Sequence, residues 1–520
     1  MRKFLPLLAV LAVFSCGDPA EEGPVENPGP ALVSTDPADG TGGISSFSQT
    51  ILFTFDQNIA CTPEGLQGIS VDGDAFIEKV TPSGTVLTVV VAGLRRGKSY
   101  TVTLPAGTVH GFKQNQKPSA AVVFHFSTKE PDPGPDPARW ETMTAAVKNM
   151  GAGWNLGNTL DTNSGNADDM WYEVNTDRTP VRYETGWGQP VTTRQLIHMF
   201  KEAGFNVIRV PVTWYPHIGT LKITPYQASD GSKRGIWDKD AWTGYDVDPA
   251  WMARVKEIVD YVVDEGMYCI LNVHHDTGAA SAAWLVASEA DFAAVKDRYE
   301  ALWEQIATTF KDYGEKLLFE SFNEMLDPYD SWCFASFATP DRYDAEVARS
   351  AYAGIDSYND LFVKTVRSTG GYNQVRNLVV NTYAACSGDG TWNSHLKEPL
   401  TEFHLPETPG HIAVEVHSYW EADKFAEQQA DIDQLFRNLD QHLVRRLGVP
   451  VIIGEWGGGT GTDSDANVRF AGYFSQKVKD AGMAACWWMG LSDGADRAVP
   501  KWTMPRTKDA ILQAYNSQNN

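Results

Sequence analysis

Two glutamates stand at the ends of apolar runs of strand length. Glu324 closes LLFESFNE (317–324), and Glu455 follows the apolar part of VPVIIGEWGG (449–458). A parallel strand buried on both faces reads as a nearly continuous apolar run, so ionisable groups belong where it emerges. The C-terminal rim is also where a barrel of alternating strands and helices carries its chemistry. Glu324 and Glu455 are therefore a candidate catalytic carboxylate pair, able to give and take a proton or attack an electrophilic carbon.

Other polar residues fall at the same ends of other runs. They are Arg209 in FNVIRVPVTW, His274 and His275 in MYCILNVHHD, Asn323 beside Glu324, His417 and Tyr419 in HIAVEVHSYW, and Trp487 with Trp488 in MAACWWMG. Singly each has a plain structural explanation: an ion-pair partner for Arg209, a hydrogen-bonded core histidine for His274, packing for the tryptophans. Together with the two glutamates they converge on one rim of six strands. His417 and Tyr419 are two apart, so on a strand both point to the same face.

The elements that must position these groups alternate from Ala138 onward. Eight strand-like segments (GAGWNLGNTLD, FNVIRVPVTW, MYCILNVHHD, LLFESFNE, NLVVNTYA, HIAVEVHSYW, VPVIIGEWGG and MAACWWMG) are mostly separated by amphipathic helical patterns. TTRQLIHMFKEAG, PAWMARVKEIVDYVVDEG and DFAAVKDRYEALWEQIATTFKDYG each run to a stopping glycine. Only the fifth connection, 385–410, reads as loop. The pattern predicts an α/β fold, a (β/α)8 TIM barrel with enlarged loops over 138–520. An open doubly wound sheet is the alternative, but the glycine-rich phosphate turn expected after its first strand is missing. The segment 222–246 is expected to shape one end of a cleft.

The 520 residues carry 17 Trp, 19 Tyr and 23 Phe and a formal charge of -23. Such a chain has material for a large core and more than one domain. Its acidity argues against nucleic acid or anionic membrane surfaces as partners and fits a neutral substrate. Residues 1–16 read as a targeting segment: Arg2 and Lys3, then FLPLLAVLAVF, then Ser15 and Cys16. The run is too short for a spanning helix. A cysteine after a small residue resembles the lipobox of bacterial lipoproteins, which implies lipidation at Cys16 and anchorage at the cell envelope, at the outer-membrane surface. Residues 17–30 form a Pro- and acid-rich tether.

Residues 31–128 are β-rich, with turn residues between short runs, and predict a small sandwich. STDPADG and TFDQNI resemble bacterial Ig-like domains. Such a module could be a spacer or bind carbohydrate; no obvious aromatic row favours the second role. KEPDPGPDP (129–137) is a semi-rigid linker. Without Cys16 the cysteines are odd in number and scattered, which argues against a disulfide framework or a zinc cluster. Cys269 and Cys486 sit in apolar runs and read as core.

GWNLGNTLD, ETGWGQP, GFNVIRVPVTW, ILNVHHD, SFNE, HSYW and IIGEWGG together resemble glycoside hydrolase family 5, in its endo-β-1,4-glucanase and xyloglucanase branch. The resemblance implies that Glu324 is the acid/base and Glu455 the nucleophile of a retaining glycosidase. It implies that Arg209 and Tyr419 support the nucleophile and that Asn323 holds a sugar hydroxyl. His274, His275, His417, Asn158 and Trp187 would line the site, with Trp488 or Trp487 as its floor. Two departures stand out: Met325 where many relatives have Pro, and WWMGLSDG at the eighth strand. Retention needs the carboxyl groups about 5–5.5 Å apart.

Trp187, Trp214, Trp284, Trp332, Trp392, Trp420 and Trp456 offer rings for stacking on sugars, about half of them expected in the core. The expected partner is a plant-type β-glucan or related polysaccharide, with cellulose-like glucan first and xyloglucan, mixed-linkage glucan and mannan as alternatives. A monomer without cofactor or metal, touching membrane only through its lipid, completes the expectation. Two other classes remain: a metal-dependent hydrolase using His274, His275, Asp276 and His417, and an inactive glycan-binding protein at the cell surface. Against the first, adjacent histidines on a strand point to opposite faces.

Overall fold

The computed structural model describes residues 27–44, 48–73, 75–94, 97–113, 116–129, 140–332, 343–388, 394–408, 410–459 and 461–516. Residues 1–16 with Cys16, most of the tether, and most of the Pro-rich linker lie outside the described residues. The chain divides into two compact units, Met1–Pro131 and Asp132–Asn520.

The first unit holds two four-stranded sheets. One orders Leu32–Asp36, Ser48–Phe55, Val86–Ala92 and Phe76–Ser83; the other orders Thr41–Ile44, Val122–Thr128, Ser99–Leu104 and Ser70–Val71. Pairing is antiparallel except between Thr41–Ile44 and Val122–Thr128. Alternate residues such as Phe53, Val89, Val102 and Phe124 are fully buried in one shared core, as expected for a sandwich.

The second unit closes eight parallel strands into a barrel: β1 (Ala152–Asn155), β2 (Val207–Val210), β3 (Tyr268–Asn272), β4 (Leu317–Glu320), β5 (Leu378–Cys386), β6 (Ile412–Tyr419), β7 (Val451–Gly457) and β8 (Ala484–Trp487). β8 pairs with β1, which completes the ring. The expected (β/α)8 barrel is thus the fold of this unit. The helices that follow the eight strands in turn are α1 (Arg194–Ala203), α2 (Pro249–Asp264), α3 (Glu289–Thr309), α4 (Ala345–Ser368), α5 (Glu398–Thr401), α6 (Phe425–Leu439), α7 (Asp465–Asp480) and α8 (Pro505–Asn516). α1 shows why these segments are helical. Thr193 caps it by accepting the Leu196 N–H, and Gly204, at φ 110°, ends it in the left-handed conformation. A cap of this kind stabilises by about 0.5–2 kcal/mol.

Four local readings change. α3 stops at Thr309 rather than at Gly314, capped by Phe310. The fifth connection contains the single-turn α5 after a 3-10 turn at Ser394–Lys397, so it is not all loop. The segment 222–246 lies within a long hairpin of Ile218–Gln227 and Lys233–Val247, edged by Met170–Trp171. Trp237 from this hairpin stacks on Tyr215, and Arg298 of α3 lies 3.8 Å over Trp242, which fixes the hairpin to the barrel. Finally, Cys386 is disulfide-bonded, where scattered cysteines had argued against bridges. Cys269 and Cys486 are buried free thiols.

The barrel interior has two layers. The lower is apolar: Val207, Ile270, Leu318, Val379, Ala413 and Ile452 pack against the helix Met143–Met150, which closes that end. Two residues further along the same strands, the inward positions become Arg209, Asn272, Glu320, Asn381, Glu415 and Gly454. The five side chains among them are fully buried. The second layer is polar because the site stands on it.

Candidate active site

β7 carries Glu455, and its register explains how. Val416 pairs with Ile453 but His417 pairs with Glu455, so Gly454 is an extra residue. Without this bulge, strict alternation would turn Glu455 outward; with it, both Gly454 and Glu455 face the barrel axis. Trp456 then points to the helices, where it stacks on Phe474. Gly454 also makes room for a neighbour, because a Cβ there would lie 1.3 Å from Glu415 Oε1.

Glu455 receives two strong donors. The Arg209 guanidinium gives Nη1–H to Oε1 at 2.7 Å, and the Tyr419 hydroxyl donates to Oε2 at 2.6 Å. Burial and the Glu455 and Glu324 carboxylates hold the Tyr419 phenol well above its ordinary range, so it stays a donor. Arg209 is itself fixed. It donates from Nε and Nη2 to the two Glu320 oxygens at 2.7 Å each, and to Asn155 and Asn323 at 3.0 and 2.8 Å. Such a bidentate pair leaves the guanidinium little rotational freedom.

Glu324 sits four residues beyond the end of β4, on the turn that the strand leads into. His417 Nδ1 lies 2.8 Å from its Oε1 and 3.7 Å from Glu455 Oε2. One oxygen of Glu324, one of Glu455 and a His417 nitrogen lie within 4.8 Å of one another. Burial, with Glu455 adding to it, raises the Glu324 carboxyl above its ordinary range against the pull of His417. About a fifth of its side chain, 22%, stays open to solvent, whereas Glu455 keeps 6%. The donor candidate is exposed to the cleft and the attacking candidate is sheltered.

The histidines divide by charge. Burial keeps His274 well below its ordinary range and brings His275 down to about 4, so both are neutral. For His417 burial is outweighed by Glu455, Glu324 and Glu415, which raise it to about 10 and make it an imidazolium. Beneath them, burial and Glu415 raise Glu320 to about 8, while Arg209 and His417 overcome burial to lower Glu415. Glu320 therefore keeps a proton that it shares with an ionised Glu415. Two cations, Arg209 and His417, thus stand among the carboxyl groups of Glu324, Glu455, Glu320 and Glu415.

Along one wall, Trp488 lies parallel to His274, ring centroids 5.8 Å apart, and packs on Gly157, where a Cβ would come within 2.9 Å. Trp187 meets His275 edge-on at 5.4 Å and is half-buried. Asn158, at φ 59°, is held in this wall by donating its N–H to Asp161. Trp487 is corrected as a sugar-contacting residue. Strand alternation turns it away from Trp488 into the core, where it is 3% exposed and packs edge-on against Trp456. Of the other candidate rings, Trp214, Trp284 and Trp456 are core, Trp187, Trp332 and Trp420 reach the surface, and Trp392 lies outside the described residues.

The adjacent histidines also behave differently from expectation. β3 ends at Asn272, so alternation no longer separates His274 from His275, and donor atoms of both lie with Asp161 within 4.8 Å. These groups are already engaged: Asp161 accepts the Asn158 and Thr159 N–H groups, and His274 Nδ1 meets Asn272 at 3.0 Å. Asp276 turns away altogether, accepting from the backbone of Trp214 and Tyr215 and from Trp284 Nε1. The four residues of the metal reading do not assemble around one point.

Sequence reading passed over Asn155, Asn272, Glu320, Asn381 and Glu415. A signal was present: in AGWN, ILN, LLFE, VVN and AVE a polar residue stands two positions after a small or apolar one, at the inward period of a strand.

Known proteins resemble both units. The family described as Cellulase (glycosyl hydrolase family 5) matches residues 170–493, and the bacterial Ig-like domain matches residues 26–128. Endoglucanase B of Neocallimastix patriciarum is 32% identical over 362 residues, 66% of this chain and 63% of that protein, so the chain spans less than two thirds of that relative. A broad-specificity endoglucanase from an uncultured bacterium superposes with a TM-score of 0.63 at 47% identity, covering 73% of this chain and 97% of its own. A family 5 enzyme of Prevotella bryantii, solved as a mutant with a xyloglucan tetradecasaccharide, gives 0.58 at 35% identity, covering 72% and 99%.

Proposed function

This chain belongs to glycosyl hydrolase family 5, the cellulase family, and from that premise we propose that it is a retaining, endo-acting β-1,4-glucanase working through Glu324 and Glu455. One observation carries the reading: oxygens of the two carboxyl groups lie within 4.8 Å. That is close to the roughly 5–5.5 Å of retaining pairs and short of the roughly 6.5–9.5 Å that admits an inverting water.

In the first step a Glu455 oxygen attacks the anomeric carbon while the glycosidic C–O bond breaks and Glu324 gives its proton to the leaving oxygen. Arg209 and Tyr419, each donating to one Glu455 oxygen, orient it for the attack. In the second step Glu324, now a carboxylate, takes a proton from water, whose oxygen bonds to the anomeric carbon as the ester to Glu455 breaks. Trp488, Trp187 and the neutral His274 and His275 offer flat or hydrogen-bonding surfaces to the sugars.

Relatives named as endoglucanases and a structural neighbour holding xyloglucan support a β-1,4-linked glucan backbone as substrate. Reducing-sugar release from carboxymethylcellulose, xyloglucan, mixed-linkage glucan and mannan tests this, with cleavage of at least one glucan expected and surviving a chelator. No cleavage of any polymer would leave the glycan-binding alternative. Glu324→Ala should lose most of its activity on polymer but much less on an aryl glycoside whose leaving group needs no proton. Equal losses on both would refute its role as acid. The signal-like residues 1–16 further support lipidation at Cys16, read by fatty-acid labelling that Cys16→Ser abolishes.

A further inference from the structure

Glu415 lies one layer below the catalytic pair, fully buried, and nothing in the reaction above uses it. Its Oε2 accepts from Asn381 Nδ2 at 2.7 Å. Its Oε1 faces two cations, Arg209 Nε at 3.2 Å and His417 Nε2 at 3.4 Å. Arg209 has four other acceptors besides. His417 Nε2 faces only this carboxylate among the described ion pairs, its other nitrogen being turned to Glu324 and Glu455. β7 leaves the space open with Gly454, where any side chain would collide with Oε1. A buried charge is costly unless paired, so a strand that omits a side chain to admit one calls for a chemical reason.

We propose that Glu415 is a positioning residue of the proton-donating half of the site: seated under His417, it keeps both ring nitrogens protonated, so that Nδ1–H is always offered to Glu324. This rests on the reading of Glu324 as the acid/base. A neutral ring donating Nε2–H downward would present a bare Nδ1 and accept Glu324's proton itself. The imidazolium cannot do so. It donates to Glu324 Oε1, and the catalytic proton is left on Oε2, free for the leaving oxygen. Position 415 is reached by the same inward alternation of β6 that places His417, so the two side chains stack along one strand face.

The charged and titratable groups around the pair are few. Glu324, Glu415 and Glu455 face the His417 ring, with neutral His274 and the Arg209 guanidinium nearby and Tyr419 hydrogen-bonded to Glu455. Around Glu415 stand Arg209, His417, Glu320 and the Cys486 thiol. Against burial, the Glu455 charge and then the hydrogen bonds to Glu324 and Glu415 raise His417 to about 10. Removing one opposite charge at this range moves a titration by about 1–3 pH units.

The test is histidine-selective 15N NMR of the whole protein from pH 5 to 10, with the His417 signals assigned through His417→Gln. Both nitrogens should stay protonated through pH 8 in the wild type, lose a proton about 1–3 pH units earlier in Glu415→Gln, and recover in Glu415→Asp. On polymer, the basic limb of the kcat/KM profile of Glu415→Gln should move to lower pH by a similar amount, while an activated aryl glycoside shows no such move. A wild-type His417 that is neutral at pH 7 overturns the proposal without any variant having to fold. So does a ring titration unchanged in Glu415→Gln. Because the NMR readout needs no turnover, failure of the glucanase reading would show separately, as no cleavage of any polymer beside a ring titration that still shifts in Glu415→Gln. A shifted ring with an unmoved basic limb would instead overturn Glu324 as the proton donor.

Discussion

The two interior layers of the barrel use the same strands to opposite ends. Ile452 and Gly454 are two residues apart on β7, yet Ile452 closes an apolar plug against Met143–Met150 and Gly454 opens space for Glu415 beneath the Glu324–Glu455 pair. The same change from apolar to polar occurs between Val207 and Arg209, Leu318 and Glu320, and Ala413 and Glu415. Burial is complete in both layers. In the lower it supplies stability, roughly in proportion to apolar area. In the upper it raises the energy of unpaired charge, so each group must find a partner and thereby acquires a fixed direction and protonation state.

Substitutions on β7 separate the two roles. Gly454→Ala, which drives a Cβ into Glu415 Oε1, should lower kcat about 100-fold or more, since displacing catalytic groups by about an ångström has that effect. A variant with wild-type kcat would show that the upper layer tolerates displacement. Ile452→Ala should cost about 2–5 kcal/mol of stability, read by denaturant unfolding, with little change in kcat for the folded fraction. A large loss of kcat with stability preserved would erase the distinction.

A smaller effect separates the layers by pH. His417, raised from 6.5 to about 10, contributes stability that is full below pH 6.5 and lost as pH climbs through about 10. Glu320, raised from 4.5 to about 8, also binds more protons folded than unfolded between those values, so stability falls with rising pH there as well. The melting temperature should therefore decline from about pH 6.5 to 10, and Glu320→Gln should flatten the part below pH 8. A melting temperature that rises over this range would contradict the assignment of protons in the upper layer.

Much of this was legible in the chain because burial filters composition. Glu324 and Glu455 stood out as ionisable residues beside apolar runs, and the period of eight such runs gave the barrel. Glu320 and Glu415 escaped notice because each looks like one polar interruption within a strand; only closure of the barrel makes six such interruptions meet. The bulge at Gly454 depends on pairing register, which a single strand does not reveal. Trp487 and Trp488 could not be told apart without knowing which one the alternation turns inward. The hairpin around SDGS at 229–232 did carry a turn signal between alternating residues, which a stricter reading of strand periodicity would have found. The bond at Cys386 is a fact of proximity, invisible in cysteine counts.

The carboxylate spacing has a direct stereochemical consequence. Proton NMR of the first turnovers on a soluble cello-oligosaccharide reads the anomer released before mutarotation. A β-anomer appearing first is the result this account predicts. An α-anomer appearing first would mean inversion, and the pairing of Glu324 with Glu455 across a covalent intermediate would be wrong.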